Sequence, residues 1–144
     1  MGSIGDVVGY YTNSSLKELA MGAPVLEVGL TSDCPIPKGQ TRACALVEIT
    51  APVDGKILVS ASGYLEALKV NGGDTLCSIT TGNVIGPDGT QETTHSTATV
   101  SPVSLTRGFP AIAGTTYDYS LLCETTVSVV TLRDLQMQAL YVAN

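Results

Sequence analysis

The chain has 144 residues, of which 44% are hydrophobic and only 14% are charged, a composition that favours a folded domain over a disordered polymer. Thirteen acidic and seven basic residues give a net charge of −6, and no acidic or basic block interrupts the chain. Because such a surface repels phosphate backbones and anionic lipid headgroups, these numbers disfavour nucleic-acid binding and attachment to a membrane surface.

The first 22 residues differ in pattern from the rest and predict an N-terminal arm. Val7, Val8, Tyr10 and Tyr11 form a short β-prone apolar stretch. A capping box at 15–18 and a glycine at 22 predict one or two helical turns near 16–21. We expect the arm to pack on a neighbouring subunit through the four apolar residues. The alternative is an ordinary strand and turn on its own domain.

Residues 23–144 predict a single all-β domain. Runs of β-branched and apolar residues alternate there with turns rich in Gly, Pro, Asp and Asn. The runs predict about nine short strands: Leu26–Leu30, Thr41–Thr50, Lys56–Ser62, Leu65–Val70, Thr75–Thr81, Thr93–Leu105, Thr116–Glu124, Val127–Leu132 and Gln136–Val142. No apolar stripe of helical period separates them, so an antiparallel two-sheet sandwich is expected, with a closed barrel as the alternative.

Alternation within the strands predicts which side chains face the core, because successive side chains point to opposite faces of a sheet. Odd positions are apolar in 117–123 and in 57–61. In the run 41–49 the inward set is Ala43, Ala45, Val47 and Ile49. This assignment leaves Cys44 and Leu46 on the outward face, where a neighbouring element can cover them.

Four cysteines, Cys34, Cys44, Cys77 and Cys123, allow three pairings in a small β-rich chain. The segment between Cys34 and Cys44 is rich in Pro and Gly and can fold back, while Cys77 and Cys123 lie in two apolar strands. We therefore favour the pairs Cys34–Cys44 and Cys77–Cys123. Their spacing does not suit a zinc site, and four buried free thiols are the remaining alternative.

No catalytic, metal or cofactor site is predicted. His95 is the one histidine of the chain and lies in a run of Thr and Ser that suggests a solvated strand tip. Asp54, Asp74 and Asp88 stand beside glycines and are interpreted as turn residues. No apolar run approaches the roughly 18–20 residues that insertion into a bilayer requires.

The run Val103–Cys123, with the ending Leu140-Tyr141-Val142, has an apolar strand, an Ala-Gly-Thr turn and a Tyr-x-Tyr-x-Leu strand. Over about residues 42–142 this rhythm resembles jelly-roll domains of phage tail-fibre and decoration proteins and the trimeric heads of collagen-like chains. The resemblance implies a non-enzymatic, often trimeric module exposed at a surface. The arm at 1–22 would then dock onto a neighbouring subunit or particle.

Two functions therefore compete. The first is a structural or assembly protein of a virion or other extracellular particle, which forms a homo-oligomer, with a trimer favoured, and contacts other particle subunits. Its expected location is extracellular or at a virion surface. The second is a monomeric module that binds glycans or another ligand through loops at Asn71–Asp74 and Asn83–Gln91.

Overall fold

A computed structural model of the chain describes residues 23–69, 72–82, 85–86, 90–95 and 99–144. The described residues form ten strands: β1 (Val25–Val28), β2 (Leu30–Thr31), β3 (Cys34–Ile36), β4 (Thr41–Thr50), β5 (Gly55–Lys69), β6 (Gly73–Thr80), β7 (Thr90–His95), β8 (Thr99–Ala111), β9 (Thr116–Thr125) and β10 (Val129–Ala143). The predicted arm and its helical turn near 16–21 lie outside the described residues.

The strands form two five-stranded sheets. Sheet A has the order β1-β10-β5-β8, with β3 also paired to β10, and sheet B has the order β2-β4-β9-β6-β7. Neighbouring strands in both sheets are antiparallel. The expectation of an all-β, antiparallel two-sheet sandwich is confirmed.

The connectivity is that of a jelly roll. When the short strands β2 and β3 are set aside, the first of the eight remaining strands pairs with the last, β1 with β10. The second then pairs with the seventh, the third with the sixth and the fourth with the fifth, that is β4 with β9, β5 with β8 and β6 with β7. Such nested pairing wraps a chain into two packed sheets.

One apolar core lies between the sheets. Alternate residues of each long strand supply it, as the pleat requires. The largest fully buried side chains are Tyr119, Tyr141, Ile49, Ile57, Leu65, Ile79, Leu121, Leu132, Met137, His95, Val59 and Val127. Burial of one large aliphatic side chain stabilises a fold by about 1.5–3 kcal/mol, so this core holds the sheets together.

One face assignment is wrong, at the start of β4. Cys44 is buried and Ala43 is exposed, the reverse of the prediction. The register of β4 against β9 shifts between Ala43 and Ala45, so Cys44 is an extra residue in a β-bulge. A bulge reverses which side chains face inward on one side of the extra residue, here for the residues before Cys44. No feature of the run 41–49 indicates that a bulge is present.

The strands are also longer than predicted. The runs at 56–62 and 65–70 are parts of one strand, β5, and the run at 136–142 belongs to β10, which begins at Val129. Gly63 lies within β5, opposite Val103 of β8, and β10 continues through a register shift between Arg133 and Gln136. The predicted strand at 93–105 is divided between β7 and β8.

Side chains close one open edge of the sandwich, where β7 and β8 face each other. The Gln91 amide nitrogen donates to the Pro102 carbonyl at 3.0 Å, and its oxygen accepts from the Ser104 backbone N–H at 2.9 Å. The Arg107 guanidinium donates to the Ile79 carbonyl at 2.9 Å and lies over the Phe109 ring. These contacts satisfy edge groups that would otherwise invite pairing with another chain.

Candidate functional site

The cysteines form a covalent framework. The structure joins Cys34 to Cys44 and Cys77 to Cys123, the pairing that the sequence favours. The first bridge ties β3 of sheet A to β4 of sheet B, and the second crosslinks directly opposite residues of β6 and β9. Because all four cysteines are bridged, none is a thiolate that could bind a metal or attack a substrate.

His95 is buried, with 1% of its surface exposed, so the expectation of a solvated strand tip is wrong. The alternation along β7 turns its ring toward the core, where Nε2 lies 2.8 Å from the Thr75 hydroxyl. The Thr75 hydroxyl in turn lies 2.9 Å from that of Thr125, which donates to the Asp74 carbonyl. The three side chains form one buried polar chain.

A hydroxyl paired with an imidazole is also the arrangement that activates a nucleophile. Here Thr75 is fully buried and His95 nearly so, which leaves a substrate no access to either side chain. The second ring nitrogen, Nδ1, has no hydrogen-bond partner among the described residues, so none of them orients this ring as the third member of a catalytic triad would. The arrangement suits a structural role at this end of the core.

The acidic residues do not form a metal centre in the part of the chain that the structure describes, where no group of three or more His, Cys, Asp or Glu is placed to hold an ion. The Asp54 carboxylate accepts from the Ala113 backbone N–H at 2.8 Å and so stabilises a turn. Asp74 lies in β6. Parts of the predicted ligand-binding loops lie outside the described residues. These parts are residues 71, 83–84 and 87–89, and they include Asp88.

The outer face of sheet A, on the side away from the core, has an unusual composition. Leu26, Leu140 and Leu58 stand side by side on β1, β10 and β5, with Gly108 next in the row on β8. Leu58 is 40% exposed, and Val142 is exposed in the adjacent row. Exposed outer faces of antiparallel sheets are normally polar, so a row of leucines needs an explanation.

The rest of this outer face is polar but almost uncharged. From the row that contains Val142 to the row that contains Gln136, the described residues of this face include one charged side chain, that of Lys56. A shallow groove of about 310 Å³ crosses it and is lined by hydroxyl and amide side chains. These side chains are Thr31, Ser60, Ser62, Ser104, Thr106, Gln136 and Gln138, and the exposed Val28 also lines the groove.

A second exposed apolar group lies at the β4 edge, which we define by Val28, Leu30 and Leu46. Their exposed fractions are 74%, 83% and 53%. Leu30 stands directly opposite Leu46 in sheet B. Beside them, Glu27, Glu48 and Asp118 line the same open groove of about 640 Å³.

The predicted interface residues Val7, Val8, Tyr10 and Tyr11 lie outside the described residues, and that prediction stays a prediction. The sequence analysis missed the outer face of sheet A, although its signal was present. Leu58 lies between Ile57 and Val59 and therefore points away from the core, and Leu140 and Val142 have the same relation to Ala139 and Tyr141.

Among the described residues no helix has the length and apolar character needed to cross a bilayer. No protein-family model and no curated protein sequence matches the chain. The chain is similar to a solved structure of Eiger TNF from S. frugiperda, with a TM-score of 0.44 and 10% sequence identity, over 84% of this chain and 93% of that one.

Proposed function

We propose that the chain is a non-enzymatic structural or assembly module of an extracellular particle or virion and that it works as a homo-oligomer, with a trimer favoured. The observation that carries the proposal is the outer face of sheet A. The centre of a protein interface is depleted of charge and contains apolar anchors, and this face has both properties.

The size of the face fits this role. Four strands spaced about 4.8 Å apart, followed for six residues, give a surface of roughly 20 Å by 20 Å. A standard interface buries about 800 Å² on each partner, so the face suffices for the centre of a contact and needs further contacts around it. The row of leucines would lie in that centre, out of water.

The covalent framework supports an extracellular location. Two disulfides in a chain of 144 residues are typical of proteins that meet an oxidising compartment and rare in the cytosol. A particle subunit gains from such bridges because each one stabilises the fold by about 2–4 kcal/mol. The buried His95–Thr75 pair, which a substrate cannot reach, supports a role without catalysis.

Leu58→Lys tests the proposal through the solution mass, measured by light scattering over a range of concentrations. The charge would lie in the centre of the contact, so we expect an oligomeric wild-type chain and a monomeric variant. Ile112→Lys is the matched control, because Ile112 is exposed just beyond β8 and should leave the mass unchanged. A wild-type chain that is monomeric at every concentration would contradict the proposal.

The groove on the same face favours a second candidate, a monomeric module that binds a neutral glycan. Its hydroxyl and amide groups match the hydrogen-bonding groups of a sugar, but no aromatic ring lines it. A glycan array, with and without calcium, separates the two functions. Saturable binding by a monomeric chain that is lost in Gln138→Ala would support the glycan module over the assembly module.

A further inference from the structure

The β4 edge combines three features that the proposed oligomer does not explain. The first is its exposed apolar group, Val28, Leu30 and Leu46, each more than half exposed. Burial of these side chains against a partner would remove apolar surface from water at about 25 cal/mol per Å². The open groove beside them has room for a peptide chain.

The second feature is uncompensated negative charge. Glu48 on β4 stands directly opposite Asp118 on β9. Like charges in opposite positions destabilise a sheet, and Glu27 lines the same groove. The ion pairs found between described residues are those of Arg133 with Asp33 and Glu66, so none neutralises these three carboxylates.

The third feature is an open backbone edge. β2 pairs with β4 at Leu46 and Ala45 alone. A side chain at Gly29 would collide with the Leu46 carbonyl, and the chain turns there into sheet A, where the Gly29 N–H donates to the Met137 carbonyl at 2.8 Å. On the side of β4 that faces away from β9, the residues Val47–Thr50 therefore have no partner strand among the described residues. Such an edge accepts an added strand.

From these features we infer that the β4 edge binds an extended peptide segment of another protein, one in which lysine or arginine alternates with apolar residues. The segment adds to β4 beyond β2. Its basic side chain opposite Glu48 comes within about 5 Å of that residue, Cβ to Cβ, and also faces Asp118. Its alternate apolar side chains point to the other face of sheet B, beside the inward-facing Val47 and Ile49. The aliphatic stem of the basic side chain packs beside Leu30, which shares the outward face of Glu48.

The charge of the chain argues for a different protein rather than a second copy. A chain with a net charge of −6 is repelled by an acidic edge, whereas a basic segment is attracted to it. The two surfaces adjoin at Val28, which also lines the groove on the outer face of sheet A, whereas Leu30, Leu46 and Glu48 belong to sheet B. This inference goes beyond the proposed function and does not depend on it.

The test is fluorescence anisotropy with a labelled octapeptide that alternates lysine and valine, titrated with the full chain. A peptide that alternates glutamate and valine controls for charge, and a lysine-valine peptide with N-methylated backbone amides controls for strand addition. We expect saturable binding of the first peptide alone. It should weaken with added salt, as binding to fixed charges does.

Variants locate the binding. Glu48→Lys should weaken binding about tenfold or more, because it places a positive charge opposite the peptide's lysine. Glu92→Lys, at an exposed position of β7, changes the net charge by the same amount and should alter the affinity less than about twofold. Leu30→Ser removes an apolar contact and should weaken binding several-fold, with an unchanged circular dichroism spectrum for each variant.

Three results would overturn the inference. The first is equal weakening by Glu48→Lys and Glu92→Lys, which would mean unspecific attraction to an acidic protein. The second is equal affinity for the N-methylated peptide, which would exclude strand addition. The third is a change of solution mass in Glu48→Lys, which would assign this edge to contacts between copies of the chain. Leu58→Lys should leave the affinity for the peptide unchanged. A failure of the proposed oligomer can therefore be told apart from a failure of peptide binding at the β4 edge.

Discussion

At the scale of single residues, the core contains polar atoms that are not fully paired. Tyr119 is completely buried against Phe109 and Tyr117, and its hydroxyl has no hydrogen-bond partner in the described part of the chain. Burial, with a smaller contribution from Tyr117, raises the pKa of Tyr119 from 10 to about 12. The ring therefore contributes packing, while its hydroxyl is a buried polar group without compensation.

Tyr119→Phe should therefore leave stability at neutral pH unchanged or raise it slightly, by up to about 1 kcal/mol. Below about pH 10 the folded and unfolded chains both keep the Tyr119 proton, and between about pH 10 and 12 the unfolded chain loses it first. Loss of the Tyr119 proton at rising pH therefore lowers the free energy of unfolding of the wild type by under about 3 kcal/mol. The variant has no proton to lose there and should not show this decrease.

The measurement is urea unfolding at pH 7 and at several values above pH 9. Tyr117→Phe is the matched control, because the Tyr117 hydroxyl accepts from the Ile112 backbone N–H at 2.9 Å and its loss should destabilise the fold by about 1 kcal/mol at neutral pH. An alkaline loss of stability that is as steep in Tyr119→Phe as in the wild type would contradict the role given to this hydroxyl.

At the scale of elements, the central pair β5 and β10 shows how a strand continues through residues that suggest a break. Gly63 lies in β5 opposite the irregular stretch of β10 between Arg133 and Gln136. Asp134 has a φ of 50°, in the left-handed region, and a Cβ at Gly63 would lie 2.8 Å from the Arg133 carbonyl oxygen. The bulge and the glycine accommodate each other.

Gly63→Ala should therefore destabilise the fold by about 1–3 kcal/mol, because backbone atoms of β10 must move to admit the methyl group. Gly108→Ala on β8 is the matched control, since its Cβ would meet only the Leu58 side chain, at 3.4 Å. A change of less than about 1 kcal/mol is expected there. Urea unfolding of both variants checks the prediction, and equal effects would mean that the bulge tolerates a side chain.

The same elements show why the sequence predicts some features and not others. The β4 boundaries, the inward sets at 57–61 and 117–121 and the jelly-roll resemblance depend on period-two alternation, which a sequence displays directly. The bulges at Cys44 and at 133–136 depend on pairing with distant strands, so no local pattern reports them. His95 was misplaced because its polar neighbours suggested solvent, whereas its hydrogen-bond partner Thr75 is 20 residues distant in sequence.

The candidate surfaces also combine features that a local sequence pattern shows with features that depend on the pairing of distant strands. Leu58, Leu140 and Val142 can each be recognised in the sequence as apolar residues on the side away from the core. That Leu58 and Leu140 form one row with Leu26, next to the row of Val142, depends on register, which joins strands more than eighty residues apart. The acidic β4 edge is hidden in the sequence for the same reason, because Glu48 and Asp118 meet only through the pairing of β4 with β9.

At the scale of the whole molecule, the described strands make up one sandwich whose strand pairings all lie between Val25 and Ala143. We predict that a chain of residues 23–144, which keeps every one of these pairings, folds with a stability within about 0.5 kcal/mol of the full chain. Urea unfolding measures this, and loss of a cooperative transition would show that the first 22 residues belong to the domain.

The solution mass of the same shortened chain separates two contacts that a homo-oligomer can use. If the outer face of sheet A carries the association, the shortened chain keeps the mass of the full chain and Leu58→Lys still dissociates it. If the arm carries the association through Val7, Val8, Tyr10 and Tyr11, the shortened chain is monomeric while its urea transition stays cooperative. Because the two results differ in mass but not in folding, each assigns the contact to one surface.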